Sequence, residues 1–357
     1  MHVAVACGGT GGHIFPGLAT ARELMARGHR VTLWLAGKDV ESEAVRGWPG
    51  EVITVPAQGL PSGLQWKIIP AVFKLYRAIK KVKRDMKTNR PDVVLAMGSY
   101  ASVGPVGAAI RLNIPFVLHE SNVVPGRAVK LFARRAAAVA GCFDETRFYL
   151  RRKNLVITGM PLRAELLASA QENESTRGTV HLLVMGGSRG ARALNEMIPE
   201  ALVKLKESGA RFTVTHLTGE QDFASVKACY ETCGIDADVF SFTRDMGPVY
   251  GKADFAICRA GAATCAELSA FGIPSLLIPY PFAIHDHQTQ NARAMEKAGA
   301  ADMVPERDLT ASWLVSYIQQ IIQREDLRQK MSAAALARSH GIGAKLLADL
   351  IEQTARR

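Results

Sequence analysis

The chain has no uninterrupted apolar run approaching the roughly 18 residues needed to cross a bilayer. Its densest apolar stretch, 273–282, is short and broken by Pro274, Pro279 and Pro281. It opens directly on a strand-like segment, without the basic stretch, apolar core and small-residue cleavage site of a secretory signal, so a cytoplasmic protein is expected. Cysteine is sparse: Cys7, Cys142, Cys229, Cys233, Cys258 and Cys265 lie scattered through 357 residues. Only Cys229 and Cys233 are close; they share a helical face, which matches no zinc signature, and buried reduced thiols are expected. Low-complexity segments are missing, as are nucleic-acid motifs and aromatic platforms for stacking bases. What remains is an ordinary globular composition, 48% hydrophobic and 22% charged.

At 357 residues the chain exceeds one typical core, and two domains are expected. Glycine marks both halves. Cys7-Gly8-Gly9-Thr10-Gly11-Gly12-His13 follows an apolar strand, 2–6, and Met185-Gly186-Gly187-Ser188-Arg189-Gly190-Ala191 follows another, 180–185. Each leads into helical spacing, the first helix read as 16–27. Glycine lets backbone N–H groups approach an anion, and the helix N-terminus behind adds partial positive charge. The dinucleotide fingerprint G-x-G-x-x-G fits poorly. Gly9-Thr10-Gly11 lacks the third glycine, and the second strand, 31–35, ends in Ala36-Gly37 where the ribose-binding acid belongs. A tight turn has no steric need for the imidazole of His13, which points to chemistry there.

Short apolar strands at 52–55, 93–97, 116–119, 138–140, 212–217, 239–241, 255–258 and 275–279 alternate with amphipathic segments. That pattern predicts parallel sheets covered on both faces. The linker is expected near 159–178, and the last helix, 343–357, is long enough to pack back on the first domain. Unusual polar clusters fall at strand carboxyl ends, where open parallel sheets bind ligands. They are Gly98-Ser99-Tyr100, His119-Glu120-Ser121-Asn122, Arg259 to Thr264 with Glu267, and His285 to Gln288 with Asn291.

The net charge of +11 implies an anionic partner. Lys67, Lys74, Arg77, Lys80, Lys81, Lys83, Arg84, Lys87 and Arg90 face one acid, Asp85, and interleave with Ile69, Val72, Leu75 or Tyr76, Ile79, Val82 and Met86 at helical spacing. A buried apolar face with a solvated basic face explains most of this stretch. The surplus of cations beside Trp66 further suits contact with anionic lipid headgroups.

Jointly, GGTGGH, His119-Glu120-x-Asn122, Pro161-x-Arg163, GGSxGA, Arg259-x-Gly261-Ala262-x-Thr264-x-x-Glu267 and Asp286-His287-Gln288-x-x-Asn291-Ala292 resemble the MurG family of glycosyltransferases from end to end. The family adds N-acetylglucosamine (GlcNAc) to the lipid-linked muramyl-pentapeptide precursor of peptidoglycan. The resemblance implies an α/β GT-B fold, two Rossmann-like parallel-sheet domains facing a deep cleft. It puts the acceptor and membrane-facing domain at 1–160 with helix 343–357, and the UDP-GlcNAc-binding domain at 161–342. It implies inverting transfer to lipid I without a cofactor or tightly bound metal, at the cytoplasmic face of the inner membrane, with cell-wall synthesis proteins as candidate partners.

By the same resemblance, Ser188, Arg163, Ala262, Ala263 and Thr264 contact the sugar-diphosphate, and Glu267 accepts the ribose hydroxyls. Gln288 and Asn291 read the transferred sugar, and the stretch containing Thr243 meets uracil. Thr10, Gly11, Gly12 and Asn122 reach toward the donor sugar. Gly8, Gly9, Gly98, Tyr100 and His119 serve the acceptor, and Trp66, Ile69, Phe73, Lys74, Arg77, Lys81 and Arg84 the membrane. His13 is the candidate base, with Glu120 its rival. Ser99, Met160 and Arg189 depart from the family's usual glycine, asparagine and glutamine. Competing readings are a related lipid glycosyltransferase with another acceptor, a nicotinamide oxidoreductase, and a non-catalytic nucleotide-sugar-binding module.

Overall fold

The computed structural model describes residues 1–37, 39–55, 68–150, 154–171, 178–187, 190–283, 286–339 and 341–356, with the side chains of 39, 40, 68–75 and 171 outside that description. The chain divides into two compact units, one of Met1–Arg163 with His340–Arg357 and one of Ala164–Ser339.

In the first unit, β1 (His2–Ala6), β2 (Arg30–Leu35), β3 (Glu51–Thr54), β4 (Val93–Ala96), β5 (Phe116–Glu120), β6 (Ala138–Gly141) and β7 (Leu155–Ile157) form a parallel sheet in the order β3-β2-β1-β4-β5-β6-β7. The central strands are buried on both faces, which is why they read as unbroken apolar runs. Helices α1 (Gly11–Ala26), α2 (Asp39–Ala44), α3 (Ile68–Thr88), α4 (Val103–Leu112) and α5 (Arg127–Phe132) connect them. β7 was not anticipated from sequence; three residues, with its central Val156 exposed, give little periodicity to read.

The second unit repeats the architecture. Its strands are β8 (Val180–Met185), β9 (Phe212–Leu217), β10 (Ala237–Phe240), β11 (Phe255–Cys258), β12 (Ser275–Leu277) and β13 (Ala301–Met303), all parallel, ordered β10-β9-β8-β11-β12-β13. Its helices are α6 (Ala164–Gln171), α7 (Arg192–Glu207), α8 (Phe223–Thr232), α9 (Gly247–Lys252), α10 (Ala262–Phe271), α11 (His287–Lys297), α12 (Ala311–Gln323) and α13 (Glu325–Arg338). β13 is a second unanticipated strand, since Ala301-Asp302-Met303 carries no apolar run.

The chain returns to the first unit as α14 (Gly343–Ala355). Leu347, Ala348 and Ile351 enter the core formed by Val3, Val5, Leu18 and Leu33. Arg27 at the end of α1 reaches Asp349 at 2.6 Å, and His29 reaches Glu352 at 2.8 Å. The close meeting of α3 with α4 is made possible by small residues: Val82 and Ile79 pack where Gly104 and Gly107 carry no side chain.

Candidate active site

In the first unit the polypeptide leaves β1 through Cys7-Gly8-Gly9-Thr10 and enters α1 at Gly11. This differs from the expected start at Pro16. Thr10 is the N-cap in extended conformation, and Pro16 sits inside the helix. His13 therefore stands on the first helical turn, not in a loop, its N–H donating to Thr10 O at 2.9 Å. Its Nδ1 lies 2.9 Å from Thr10 Oγ1. The imidazole is half-buried, and desolvation pulls its pKa down to about 4, well below the neutral range expected for the base.

The loop before α1 is held by a residue that the sequence reading missed. Glu41 is 1% exposed. Its Oε1 accepts from Gly9 N at 2.6 Å, and its Oε2 from Ala36 N at 2.9 Å and Gly37 N at 2.7 Å. The acid missing at the end of β2 is thus present five residues past Ala36, and it binds backbone, not ribose. The Gly9 N–H that a phosphate would use is taken by a carboxylate, against the expectation that Gly8 and Gly9 cradle the acceptor pyrophosphate.

Ser99 braces the same loop from β4. Its hydroxyl donates to Gly8 O and accepts from Ala101 N, while Tyr100 Cε1 would lie 3.9 Å from a Cβ on Gly9. Gly98 has φ +82°, and a Cβ there would stand 2.8 Å from the His119 carbonyl, so β4 can approach β5 only through glycine.

At the end of β5 the three polar residues separate. His119 is fully buried with Nε2 3.5 Å from Cys142 Sγ. Burial lowers its pKa to about 4; the Gly159 carbonyl opposes this and the charge of His13 adds to it. It is a core histidine, not the acceptor contact that was expected. Glu120 is also buried, and its oxygens accept from Asn122 N at 2.9 Å and Gly126 N at 2.7 Å. Burial raises its pKa while these N–H groups lower it. The carboxyl organises the turn after β5. Asn122 turns its Nδ2 toward Glu120 at 3.4 Å, and its carbonyl accepts from Thr146 Oγ1. Arg163 stacks its guanidinium 5.5 Å above the ring of Phe15, on the turn of α1 after His13.

In the second unit, the loop after β8 is set by Gly190, whose φ is +75° and whose missing side chain lets the Thr218 carbonyl pass. Ser188 and Arg189 lie outside the described residues. From β11 the chain passes Arg259-Ala260-Gly261 into α10. Gly261 is an extended N-cap without a side-chain capping bond, and the first turn, with Ala262, Ala263 and Thr264, holds no acid. The leading N–H groups of that turn have no partner within the helix.

Glu267 stands on α10 half-buried, and Tyr250 Oη donates to its Oε2 at 2.7 Å. Tyr250 is the other residue that sequence reading missed. Gln288 Oε1 accepts from Tyr280 N at 2.9 Å. Asn291 departs from its expected role: it is 0% exposed, and its Nδ2 donates to Ala260 O at 3.1 Å. It pins the turn before α10 to α11. Arg259 is likewise a strut, donating to the carbonyls of Ile278 and Pro279 and pairing with Glu306. Thr243 Oγ1 accepts from Asp245 N at 3.3 Å, folding 243–245 into a tight turn before α9.

On α3, Val82 and Met86 are buried while Arg77, Lys80, Lys81, Arg84 and Lys87 are exposed. Trp66 and the side chains of Ile69, Phe73 and Lys74 lie outside the described residues. Among the described residues no helix is long and apolar enough to cross a membrane.

Residues 3–141 match the glycosyltransferase family 28 N-terminal domain and 181–349 the family 28 C-terminal domain. A Bordetella pertussis protein is 40% identical over 99% of this chain and 98% of its own length. A protein of Anaeromyxobacter sp. (strain K) is 37% identical over 100% of this chain and 94% of its own. Both are named UDP-N-acetylglucosamine--N-acetylmuramyl-(pentapeptide) pyrophosphoryl-undecaprenol N-acetylglucosamine transferase. The crystal structure of Acinetobacter baumannii MurG superposes with a TM-score of 0.82 at 28% identity, covering 99% of each chain. With two Rossmann-like parallel-sheet domains and end-to-end matches of this kind, the chain belongs to the MurG family of N-acetylglucosaminyltransferases, within glycosyltransferase family 28.

Proposed function

We infer that the protein transfers GlcNAc from UDP-GlcNAc to the muramyl-pentapeptide of lipid I, with inversion, making lipid II for peptidoglycan. The observation that carries this reading is the 40% identity that runs through both domains to a relative bearing that activity in its name. The acceptor hydroxyl attacks the anomeric carbon, and UDP leaves from the opposite face. Two tasks follow: charge on the departing diphosphate must be stabilised and the hydroxyl proton removed.

For the first task, the N–H groups of Ala262, Ala263 and Thr264 offer donors backed by the α10 dipole. Ser188 and Arg163 add to the diphosphate contacts in this reading. Glu267 accepts the ribose hydroxyls, Gln288 has its Nε2 to offer the sugar, and the 242–246 turn meets uracil. For the second task, His13 is the base. In the tautomer whose Nδ1–H donates to Thr10 Oγ1, Nε2 carries the lone pair and takes the proton. A pKa near 4 keeps the ring neutral at pH 7, and the substrate diphosphates then stabilise the imidazolium that forms.

Transfer of labelled sugar from UDP-GlcNAc to a short-chain lipid-linked muramyl-pentapeptide tests the assignment, with UDP-glucose and UDP-N-acetylgalactosamine as controls. Product from UDP-GlcNAc alone is expected. UDP-GlcNAc binding without transfer would move the protein to another acceptor or to a binding role.

We further propose that the protein works peripherally at the cytoplasmic membrane face, seated through the basic side of α3. Exposed Arg77, Lys81 and Arg84 supply attraction of about 1 kcal/mol each near an anionic surface. Changing all three to glutamate should abolish most binding to anionic vesicles at unchanged melting temperature. Equal vesicle binding would leave the basic side merely solvated.

A further inference from the structure

We propose that Tyr250 is a positioning residue of the donor site, holding the Glu267 carboxylate in the orientation that receives the ribose diol of a uridine nucleotide. The inference rests on the reading of Glu267 given above.

Tyr250 stands on α9, whose first residue follows the 242–246 turn directly. Its side chain is 1% exposed. The ring packs against Phe271 with centroids 5.2 Å apart. Phe271 and Glu267 are four residues apart on α10 and so share a helix face, and Tyr250 meets both. The phenol oxygen donates to Glu267 Oε2 at 2.7 Å and lies 3.9 Å from the sulfur of Met185, the last residue of β8. One side chain thus joins the helix bearing Glu267, the strand leading into the 186–190 loop, and the segment after the 242–246 turn.

The ring and the hydroxyl do separable jobs. Packing on Phe271 and Met185 needs only an aromatic ring, and phenylalanine would supply it. The hydroxyl makes a short bond to a carboxylate, a stronger class than neutral pairs. A half-buried glutamate on a helix has three side-chain torsions to fix before it can accept two adjacent hydroxyls. Anchoring Oε2 removes that freedom in advance, so that less ordering is left for the nucleotide to bring about. Seen in the sequence, Tyr250 sits in an unremarked Pro-Val-Tyr-Gly run with no polar neighbours to advertise a role.

The test compares UDP with 2′,3′-dideoxy-UDP by calorimetry on the full-length wild type, Tyr250→Phe and Glu267→Ala. Wild type should prefer UDP, and Glu267→Ala should lose that preference. Tyr250→Phe should weaken UDP by up to about tenfold, the cost of ordering one side chain that is no longer held in advance, and leave the dideoxy nucleotide within about twofold of wild type. Equal weakening of both nucleotides would reduce Tyr250 to packing and overturn the proposal, as would unchanged binding of both. Retained diol preference in Glu267→Ala would instead remove the ribose role of Glu267, and the positioning role with it. A modest fall in melting temperature is expected for Tyr250→Phe, because the bond to a half-buried carboxylate is lost while the ring and its contacts remain.

Discussion

The β1–α1 junction of the first unit and the β11–α10 junction of the second share one plan, strand, glycine, helix, and use it oppositely. At β1–α1 the protein fills its own donor: Gly9 N–H is spent on Glu41, and Ser99 holds the Gly8 carbonyl. At β11–α10 the protein ties down carbonyls instead. Asn291 takes that of Ala260, and Arg259 takes those of Ile278 and Pro279, while the first turn of α10 has no acid and no side-chain cap. A buried carboxylate beside the first junction opposes a second anion there, since like charges repel strongly where water is scarce. The first turns of both helices lack an acid and a side-chain cap, so what separates the junctions is the Gly9 N–H spent on Glu41 and the imidazole of His13 on the first turn of α1. On the proposed function, two glycine-rich turns that look alike in sequence divide into a mount for a catalytic group and a seat for a phosphate, and Glu41 is the structural difference between them.

The largest test of that division is His13→Ala. On the proposal that His13 is the base, turnover should fall by about 10²- to 10⁴-fold, while UDP affinity, assigned in that reading to residues other than His13, stays within about twofold of wild type. A variant with full turnover would strip His13 of its role and leave the first junction without its distinguishing group.

Glu41→Gln attacks the mount itself. An amide has one acceptor oxygen where the carboxylate has two, and its NH2 would face N–H donors from Gly9, Ala36 or Gly37. Unfolding free energy should drop by about 2–3 kcal/mol, measured by denaturant titration, and turnover should fall with UDP affinity preserved. Unchanged stability would show that the three N–H groups find other partners, and that Gly9 N–H is available to a phosphate after all.

Much of the fold was legible because buried parallel strands write themselves as apolar runs. The strands 2–6, 180–185, 212–217 and 255–258 stand in the structure at those bounds. The motifs at strand ends were legible as a set, since topology alone puts them on one edge of each sheet. Individual roles were less so. Asn291, His119 and Glu120 are polar residues in motif positions, and all three are buried, holding a turn or lying in the core. Sequence shows that a polar side chain is present but not which way it faces. Glu41 and Tyr250 escaped notice for the converse reason: each acts through backbone or another side chain, and neither belongs to a recognisable motif. Pro16 misled the start of α1, because proline favours a first turn and here sits beyond one.

A smaller effect separates the units by their buried histidines. His119 lies on β5 of the first unit and His216 on β9 of the second, both fully buried. Burial lowers the pKa of His119 to about 4 and that of His216 to about 3. In the unfolded chain each titrates near 6.5. A folded pKa below the unfolded one means that the unfolded state binds the proton first, so stability is full above about pH 6.5 and is lost as pH falls toward 4 or 3. At pH 5 each ring should cost about 2 kcal/mol relative to pH 7. The two differ in what replaces them. His216 pairs Nδ1 with Tyr230 Oη at 2.9 Å and Nε2 with Asn195 Oδ1 at 3.0 Å, whereas His119 Nε2 meets a cysteine sulfur. A leucine at His119 forfeits the contacts with Cys142 Sγ and the Gly159 carbonyl and removes the acid-sensitive ring. Denaturant unfolding of His119→Leu at pH 7 and pH 5 should therefore show a loss about 2 kcal/mol smaller than wild type between the two pH values. An identical loss would mean that His119 keeps its ordinary pKa in the folded protein, and that the core around it is wetter than its burial indicates.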